Sequence, residues 1–362
     1  MEINLSVKIS ILTPSFNHEK YIRFFLQSVL GQTFQNFELI IVDDCSWDKN
    51  LEEIKKFKDE RIKLIRHDYN KGINATLNTA FENSSGEILV FCASDDMLER
   101  DALEKIYQAF EETHVDVVYP GVKVIDENNV ISQSKKIEMR YKEPLEILNY
   151  MFFEGNCLMS VGMSIKRQAF RDIYPLPLGL CNHQDTFMHI NLLLNGAKIL
   201  FLQDEVILYR MVGDQTSISA RKDVTLTREN LEIESLMDSF LRVKDIELLK
   251  KVFKNEIQNT GIMPYEDTIK FFLGRMALDS PYRARQDWGY HKILEFYNDA
   301  INVKKLKERY NFIFKDYLGL ACSVKDDKVM RKYQKYKKYF KVSMMLIMVL
   351  LIIVVLLGVK NA

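Results

Sequence analysis

Two pairs of adjacent carboxylates, Asp43-Asp44 and Asp95-Asp96, are the residues whose type and placement most directly suggest chemistry. Mg²⁺ or Mn²⁺ prefers hard oxygen ligands and is typically held by one or two carboxylates together with phosphate oxygens of a substrate. Asp95-Asp96 can supply that set. Two other ways of gripping phosphate are missing, because the sequence holds no Gly-x-Gly-x-x-Gly and no Walker loop. Paired acids also cap helices, and one of Asp43 and Asp44 is expected to be an N-cap, a role that can coexist with ligand binding.

The elements that must position these acids can be read from periodicity. Over the first ninety-odd residues short β-rich runs alternate with amphipathic stretches, the pattern of a mostly parallel sheet flanked by helices. Strands are expected at 7–13, 37–42, 62–66, 87–92 and 115–119, and helices at 19–30, 48–58, 73–83 and 101–112. Asn17 is placed to cap the first helix and Gly31 to close it. A hairpin is expected around Asp126-Glu127-Asn128-Asn129. Both acid pairs then fall at the carboxyl ends of strands, where ligands bind in open α/β sheets, so they should face one cleft. The pattern from Tyr141 to Gly213 is mixed, and beyond about Ala220 helical periodicity dominates.

The ordered series Thr13-Pro14-Ser15-Phe16-Asn17, Gln32-Thr33, Val42-Asp43-Asp44, Asn70-Lys71-Gly72, Asn78 and Gly86-Glu87-Ile88-Leu89-Val90-Phe91 before Asp95-Asp96 resembles the family 2 glycosyltransferases of GT-A fold. Many of these build bacterial cell-surface polysaccharides. The resemblance runs over roughly residues 7–220. It implies that Asp44 binds uracil or another pyrimidine, with Pro14 and Phe16 lining the base site, that Asp43 belongs to the same substrate site, that Asp95 meets the donor sugar or ribose, and that Asp96 meets the metal. Cys181-Asn182-His183-Gln184-Asp185-Thr186-Phe187 resembles the family's Glu-Asp element, which makes Asp185 the base that takes the acceptor proton, with His183 second to it and more structural. Tyr209-Arg210-Met211-Val212 resembles a Tyr-Arg-x-His loop, with Arg210 able to stabilise diphosphate charge. Here Val212 replaces the His, Leu77 the Arg often found before Asn78, and Gln184 the acid before Asp185.

The whole chain of 362 residues has 50 Lys and Arg against 50 Asp and Glu, so it carries no field that would draw nucleic acid. Five widely spaced cysteines include no Cys-x-x-Cys pair and suit a reducing cytosol. No signal-peptide pattern precedes Lys8. Residues 342–359 carry no charge and, as a helix, would reach roughly 27 Å, close to the hydrocarbon thickness of a bilayer. Seven Lys or Arg and no acid lie between Lys328 and Lys341, while Lys360 alone follows the run, which keeps the preceding chain cytoplasmic by the positive-inside rule.

The expected layout is therefore a GT-A, Rossmann-like catalytic domain at 1–220, a helical extension at 221–327, a basic juxtamembrane segment at 328–341 and a transmembrane helix at 342–359. The expected activity is inverting transfer from a nucleotide diphosphate sugar, UDP-linked, to a membrane-associated glycan or lipid-linked acceptor, with Mn²⁺ or Mg²⁺, at the inner face of the cell membrane. A catalytically idle nucleotide-sugar-binding or scaffold homologue is the alternative, disfavoured by retention of Asp44, Asp96 and Asp185. A sugar nucleotidyltransferase would need a Gly-rich basic loop that Ser15-Phe16-Asn17-His18 does not supply.

Overall fold

The computed structural model describes residues 7–137, 143–212, 222–324, 332 and 335–345. The N-terminal half alternates β1 (Ile9–Ser15), α1 (Ile22–Leu30), β2 (Phe37–Asp43), α2 (Asn50–Lys55), β3 (Ile62–Arg66), α3 (Ile73–Glu82) and β4 (Ile88–Phe91). These first four strands are all parallel, in the order β3-β2-β1-β4. The apolar runs of β1, β2 and β4 follow from burial on both faces, whereas β3 at the edge is partly exposed. Successive side chains alternate between the faces. Leu12, Ile40, Val42, Leu89 and Phe91 join one core cluster with α3, and Ile9, Ile11, Leu39, Ile41, Ile88 and Val90 join the other, with α1.

The remaining strands turn the sheet into a mixed one. They are β5 (Met97–Leu98), β6 (Val117–Ile125), β7 (Ile131–Lys136), β8 (Ser164–Lys166) and β9 (Ile199–Arg210), interspersed with α4 (Ala102–Thr113), α5 (Pro144–Phe153), α6 (Arg167–Arg171) and α7 (Gln184–Leu194). The order continues β4-β8-β6-β9-β5, with β7 paired to β6. Of the eight pairings, β4–β8, β6–β8, β6–β7 and β5–β9 are antiparallel. The expectation of a mostly parallel sheet is corrected to half parallel. The three-residue β8 and two-residue β5 are too short to leave a period in the sequence. The expected hairpin at 126–129 joins β6 to β7.

Asn17 does not cap α1. Its backbone is left-handed, its side-chain oxygen accepts from Trp47 N at 3.1 Å, and Tyr21 stands at the N-cap without a side-chain bond. Gly31 does follow α1, though with a φ of −84° rather than the left-handed value of a glycine cap.

Beyond residue 221 the described chain is helical: α8 (Asp223–Met237), α9 (Ile246–Val252), α10 (Lys254–Thr260), α11 (Ile269–Ala277), α12 (Arg283–Tyr297), α13 (Ala300–Tyr310) and α14 (Phe314–Gly319), with short 3₁₀ turns between some of them. Leu236, Phe240, Phe272, Met276 and Trp288 from this part share a core cluster with β1, β2, β4, α5 and α7. The helical part is thus packed onto one face of the sheet. Residues 335–345 are helical and exposed. Most of the expected spanning run, 346–359, lies outside the described residues, and no helix among the described residues is long and apolar enough to cross a membrane.

Candidate active site

The carboxyl ends of β1, β2 and β4 form the floor of the site. Ser15 sits in register with Asp43, and Asp44 N donates to Ser15 O at 2.9 Å. Asp43 is buried; its oxygens accept from Asn50 Nδ2 at 2.8 Å and from Ser46 N at 3.1 Å, with Arg66 Nε at 3.6 Å. Asp44 accepts from Lys71 N and Gly72 N, both at 2.8 Å, and lies 2.6 Å from His67 Nδ1. Gly72 has φ +86°, a conformation L side chains rarely adopt, so the amide that meets Asp44 calls for glycine. Neither acid caps a helix. Lys49 stands at the N-cap of α2 without a side-chain bond, and Asp48 before it accepts from Asn50 N at 2.9 Å. Pro14 pairs with Val42 within the sheet, and Phe16 is exposed at the rim.

The second acid pair follows β4. Asp96 is buried, and its Oδ1 accepts from Arg210 N at 2.9 Å because β5 pairs with β9 next to it. Burial, then the charge of Asp95, holds the Asp96 carboxyl well above its usual range. Arg210 is nearly enclosed. Its guanidinium donates to Asp95 O at 2.7 Å, Asp126 O at 2.7 Å and Asn129 Oδ1 at 2.6 Å, and lies 4.6 Å from the centre of the Tyr21 ring. Arg210 therefore fixes the Asp95-Asp96 loop against the β6–β7 turn and the start of α1.

A polar chain unites the two acid pairs. Asn50 Nδ2 bridges Asp43 and Ser15 Oγ, both at 2.8 Å; Ser94 Oγ donates to Ser15 Oγ at 2.8 Å; His18 Nδ1 is 2.8 Å from Ser94 Oγ and 3.7 Å from Asp95 Oδ1. Sequence reading passed over His18, Ser94 and Asn50. Their shared signal is position, since each stands within a few residues of a strand's carboxyl end.

Asp185 lies in the first turn of α7, where the helix dipole favours a carboxylate. It accepts from Thr186 N at 2.7 Å and Asn156 Nδ2 at 3.2 Å, and Ser160 Oγ is 3.5 Å away. The loop carrying Ser160 returns to β4 through Gly162 N donating to Phe91 O at 2.8 Å. Burial, then the charges of Asp96, Asp95 and Asp185, pushes the Tyr209 phenol up. His183 instead turns to α8: its Nε2 is 3.1 Å from Glu229 O, and its N donates to Glu232. A separate surface cleft of about 780 Å³ between α5 and α9–α10 contains none of these acids.

No group of three or more His, Cys, Asp or Glu placed to hold a metal occurs among the described residues. Asp95 and Asp96 still fit a divalent ion of the kind that takes one or two protein carboxylates and completes its shell with substrate phosphates and water. Two adjacent carboxylates, one of them buried, are an unfavourable arrangement that such a cation relieves.

An open α/β sheet with acids gathered at its strand ends is a nucleotide-binding architecture. Residues 10–174 match the family model "Glycosyl transferase family 2". The chain is 34% identical over 125 residues to the UDP-Glc:alpha-D-GlcNAc-diphosphoundecaprenol beta-1,3-glucosyltransferase WfgD of Escherichia coli, a match covering 34% of this chain and 49% of that one. It thus spans about half of that relative's length. It is 26% identical over 282 residues to the glycosyltransferase GlyG of Streptococcus pneumoniae, covering 74% of this chain and 90% of GlyG. The crystal structure of S. aureus TarS 1–349 in complex with UDP-GlcNAc shares the fold, with a TM-score of 0.55 at 20% identity over 84% of this chain and 91% of that one. Asp185 and Arg210 lie beyond the segment matched by the family model.

Proposed function

We propose that the chain is an inverting glycosyltransferase that moves a sugar from a nucleotide diphosphate sugar, UDP-linked, to a membrane-associated glycan or lipid-linked acceptor in cell-surface polysaccharide synthesis. The observation that carries it is the placement of Asp43-Asp44 and Asp95-Asp96 just beyond the carboxyl ends of β2 and β4, on either side of β1 and joined through Asn50, Ser15, Ser94 and His18. WfgD and the TarS complex, whose names include UDP-Glc and UDP-GlcNAc, support the choice of donor.

In this reading Asp44, Pro14 and Phe16 receive the base, with Asp43 beside them, and Asp95 receives the donor sugar or ribose. Asp96, with Asp95 beside it, would hold Mn²⁺ or Mg²⁺, which supplies charge to offset that of the departing diphosphate. The acceptor hydroxyl oxygen bonds to the sugar anomeric carbon as the carbon–oxygen bond to the diphosphate breaks on the opposite face. Asp185 takes the hydroxyl proton. Its carboxylate accepts from Thr186 N in the first turn of α7, which orients it. Arg210 acts from behind, holding the Asp95-Asp96 loop in place. The charge-free run at 342–359 and the basic stretch before it support attachment at the inner face of the membrane, with the catalytic part cytoplasmic.

The test is nucleoside diphosphate release from a panel of nucleotide sugars with Mn²⁺, comparing the natural chain with Asp185→Asn. The natural chain should turn over a UDP-sugar. Asp185→Asn should keep donor affinity while kcat falls by roughly 10²- to 10⁴-fold, the contribution of a positioned base. Near-normal turnover in the variant would place the base elsewhere, and binding without turnover on every acceptor tried would favour the idle homologue.

A further inference from the structure

Trp47 is 82% exposed, yet its backbone is bonded to the loop after β1. Trp47 N donates to Asn17 Oδ1 at 3.1 Å and Asn17 N donates to Ser46 Oγ at 2.9 Å. One turn further on, Glu19 N donates to Asp48 at 3.0 Å and Lys49 N to Glu19 at 2.9 Å. These four bonds zip the loop after β1 to the loop after β2. Cys45 Sγ, 3.6 Å from Asp68 O, ties in the loop after β3. Asn17 and Cys45 both take left-handed φ values, 57° and 62°, to allow the arrangement.

We infer that Trp47 is a wall of the donor's base site, stacking on the nucleobase beside Phe16. Each of these loops carries an exposed aromatic residue, Phe16 at 38%, Trp47 at 82% and Tyr69 at 61%, within a few residues of the carboxyl ends of the adjacent strands β1, β2 and β3. This is the strand-end edge that carries Asp43 and Asp44, on the far side of β1 from Asp95-Asp96 beyond β4. A large ring on a fixed backbone loses little further freedom when a flat ligand settles on it, so its affinity is not spent on ordering a loop. A nucleobase is such a ligand, and every base offers a π face. The indole thus contributes affinity, while selection among bases falls to polar groups such as Asp44. The proposal rests on the nucleotide-sugar reading and assigns a residue which that reading leaves out.

The chain contains two tryptophans, and the other, Trp288, is buried with its Nε1 bonded to Asp238 at 2.9 Å, so emission that changes on ligand addition reports on Trp47. Full-length protein with Mn²⁺ is titrated with UDP, dTDP, CDP, GDP, ADP and pyrophosphate, following fluorescence and, in parallel, heat. The preferred nucleoside diphosphate should quench emission and pyrophosphate should not. Trp47→Ala should bind that nucleotide roughly 5- to 100-fold more weakly, the range for loss of one base–aromatic stack, with pyrophosphate binding unchanged, and Trp47→Phe should regain part of the loss. Nucleotide binding by Trp47→Ala equal to that of the natural chain overturns the inference, as does unchanged donor affinity with a raised acceptor KM. If the natural chain binds none of the nucleotides, the donor reading itself fails, and the calorimetry shows this independently of the fluorescence.

Discussion

Asp96 shows how a single residue can be costly to the fold and useful to the site. Its folded pKa is raised by burial and by Asp95, so the unfolded state gives up its proton more easily than the native one. The stability linked to this proton is present below the unfolded value of about 3.9 and is lost as pH rises through the folded value. Once the pH has passed the folded value, the metal-free chain carries the full penalty. Asp96→Asn keeps an oxygen for Arg210 N and removes the charge, so without metal at pH 8 it should melt higher than the natural chain, by about 2–4 °C. Mn²⁺ should raise the melting temperature of the natural chain and leave the variant unmoved. Calorimetric scans with EDTA and with Mn²⁺ decide it, and an equal Mn²⁺ shift in both proteins would move the metal away from Asp96. The acids themselves were legible because two adjacent carboxylates after an apolar run form a local pattern. Their partners were not, since Asp44 meets Lys71 and Gly72 only after β3 has been laid beside β2, and Asn17 bonds Trp47 thirty residues away.

Among the elements, the strands paired in parallel at the start of the chain were the ones the sequence exposed most clearly. β3 matches its expected 62–66, and β1, β2 and β4 fall within about two residues of expectation at each end. On the other half of the sheet, the three-residue β8 depends on β4 and β6, which are distant in sequence, and the pattern from 141 to 213 is correspondingly mixed. The joint between sheet and helical part is one such long-range feature. Helix α5 ends with carbonyls that have no partner within the helix. Arg285 of α12 supplies two: its Nε donates to Phe152 O at 3.0 Å and its Nη2 to Met151 O at 3.1 Å, while Ser280 Oγ donates to Phe153 O at 2.6 Å. Burial pushes the Arg285 guanidinium down to about 10, which marks how little water reaches it. Arg285→Met fills similar space and leaves two buried carbonyls unpaired, at about 1–3 kcal/mol each. A lower urea midpoint with an unchanged slope, amounting to about 2–4 kcal/mol, is expected. An unshifted midpoint would mean that α5 and α12 hold together by packing alone.

At the scale of the whole molecule, the folded core and the proposed attachment draw on different parts of the chain. The core that joins sheet and helices draws on residues from Leu12 to Trp288. A further cluster of Phe271, Leu278, Ile293, Leu306, Phe312 and Leu320 completes the helical part. Residues 335–345, by contrast, are exposed throughout, including Tyr336, Tyr339, Phe340, Met344 and Met345. A helix that presents aromatic and apolar side chains to water while carrying Lys335, Lys337, Lys338 and Lys341 suits the boundary between an anionic bilayer and the cytosol, where each basic residue adds about 1 kcal/mol of attraction. Deleting 343–362 should therefore release the protein into the soluble fraction with its melting temperature and its hydrolysis of the donor intact. Transfer to a lipid-linked acceptor should fall, because the anchor holds enzyme and acceptor in one surface layer, while transfer to a soluble acceptor should not. Full-length protein that leaves the membrane in alkaline carbonate would be peripheral, which removes the spanning helix and keeps the basic contact. A truncated protein that is insoluble and inactive on every substrate would mean that the run from 346 onward packs against the body of the enzyme, and the anchor would then have to be given up.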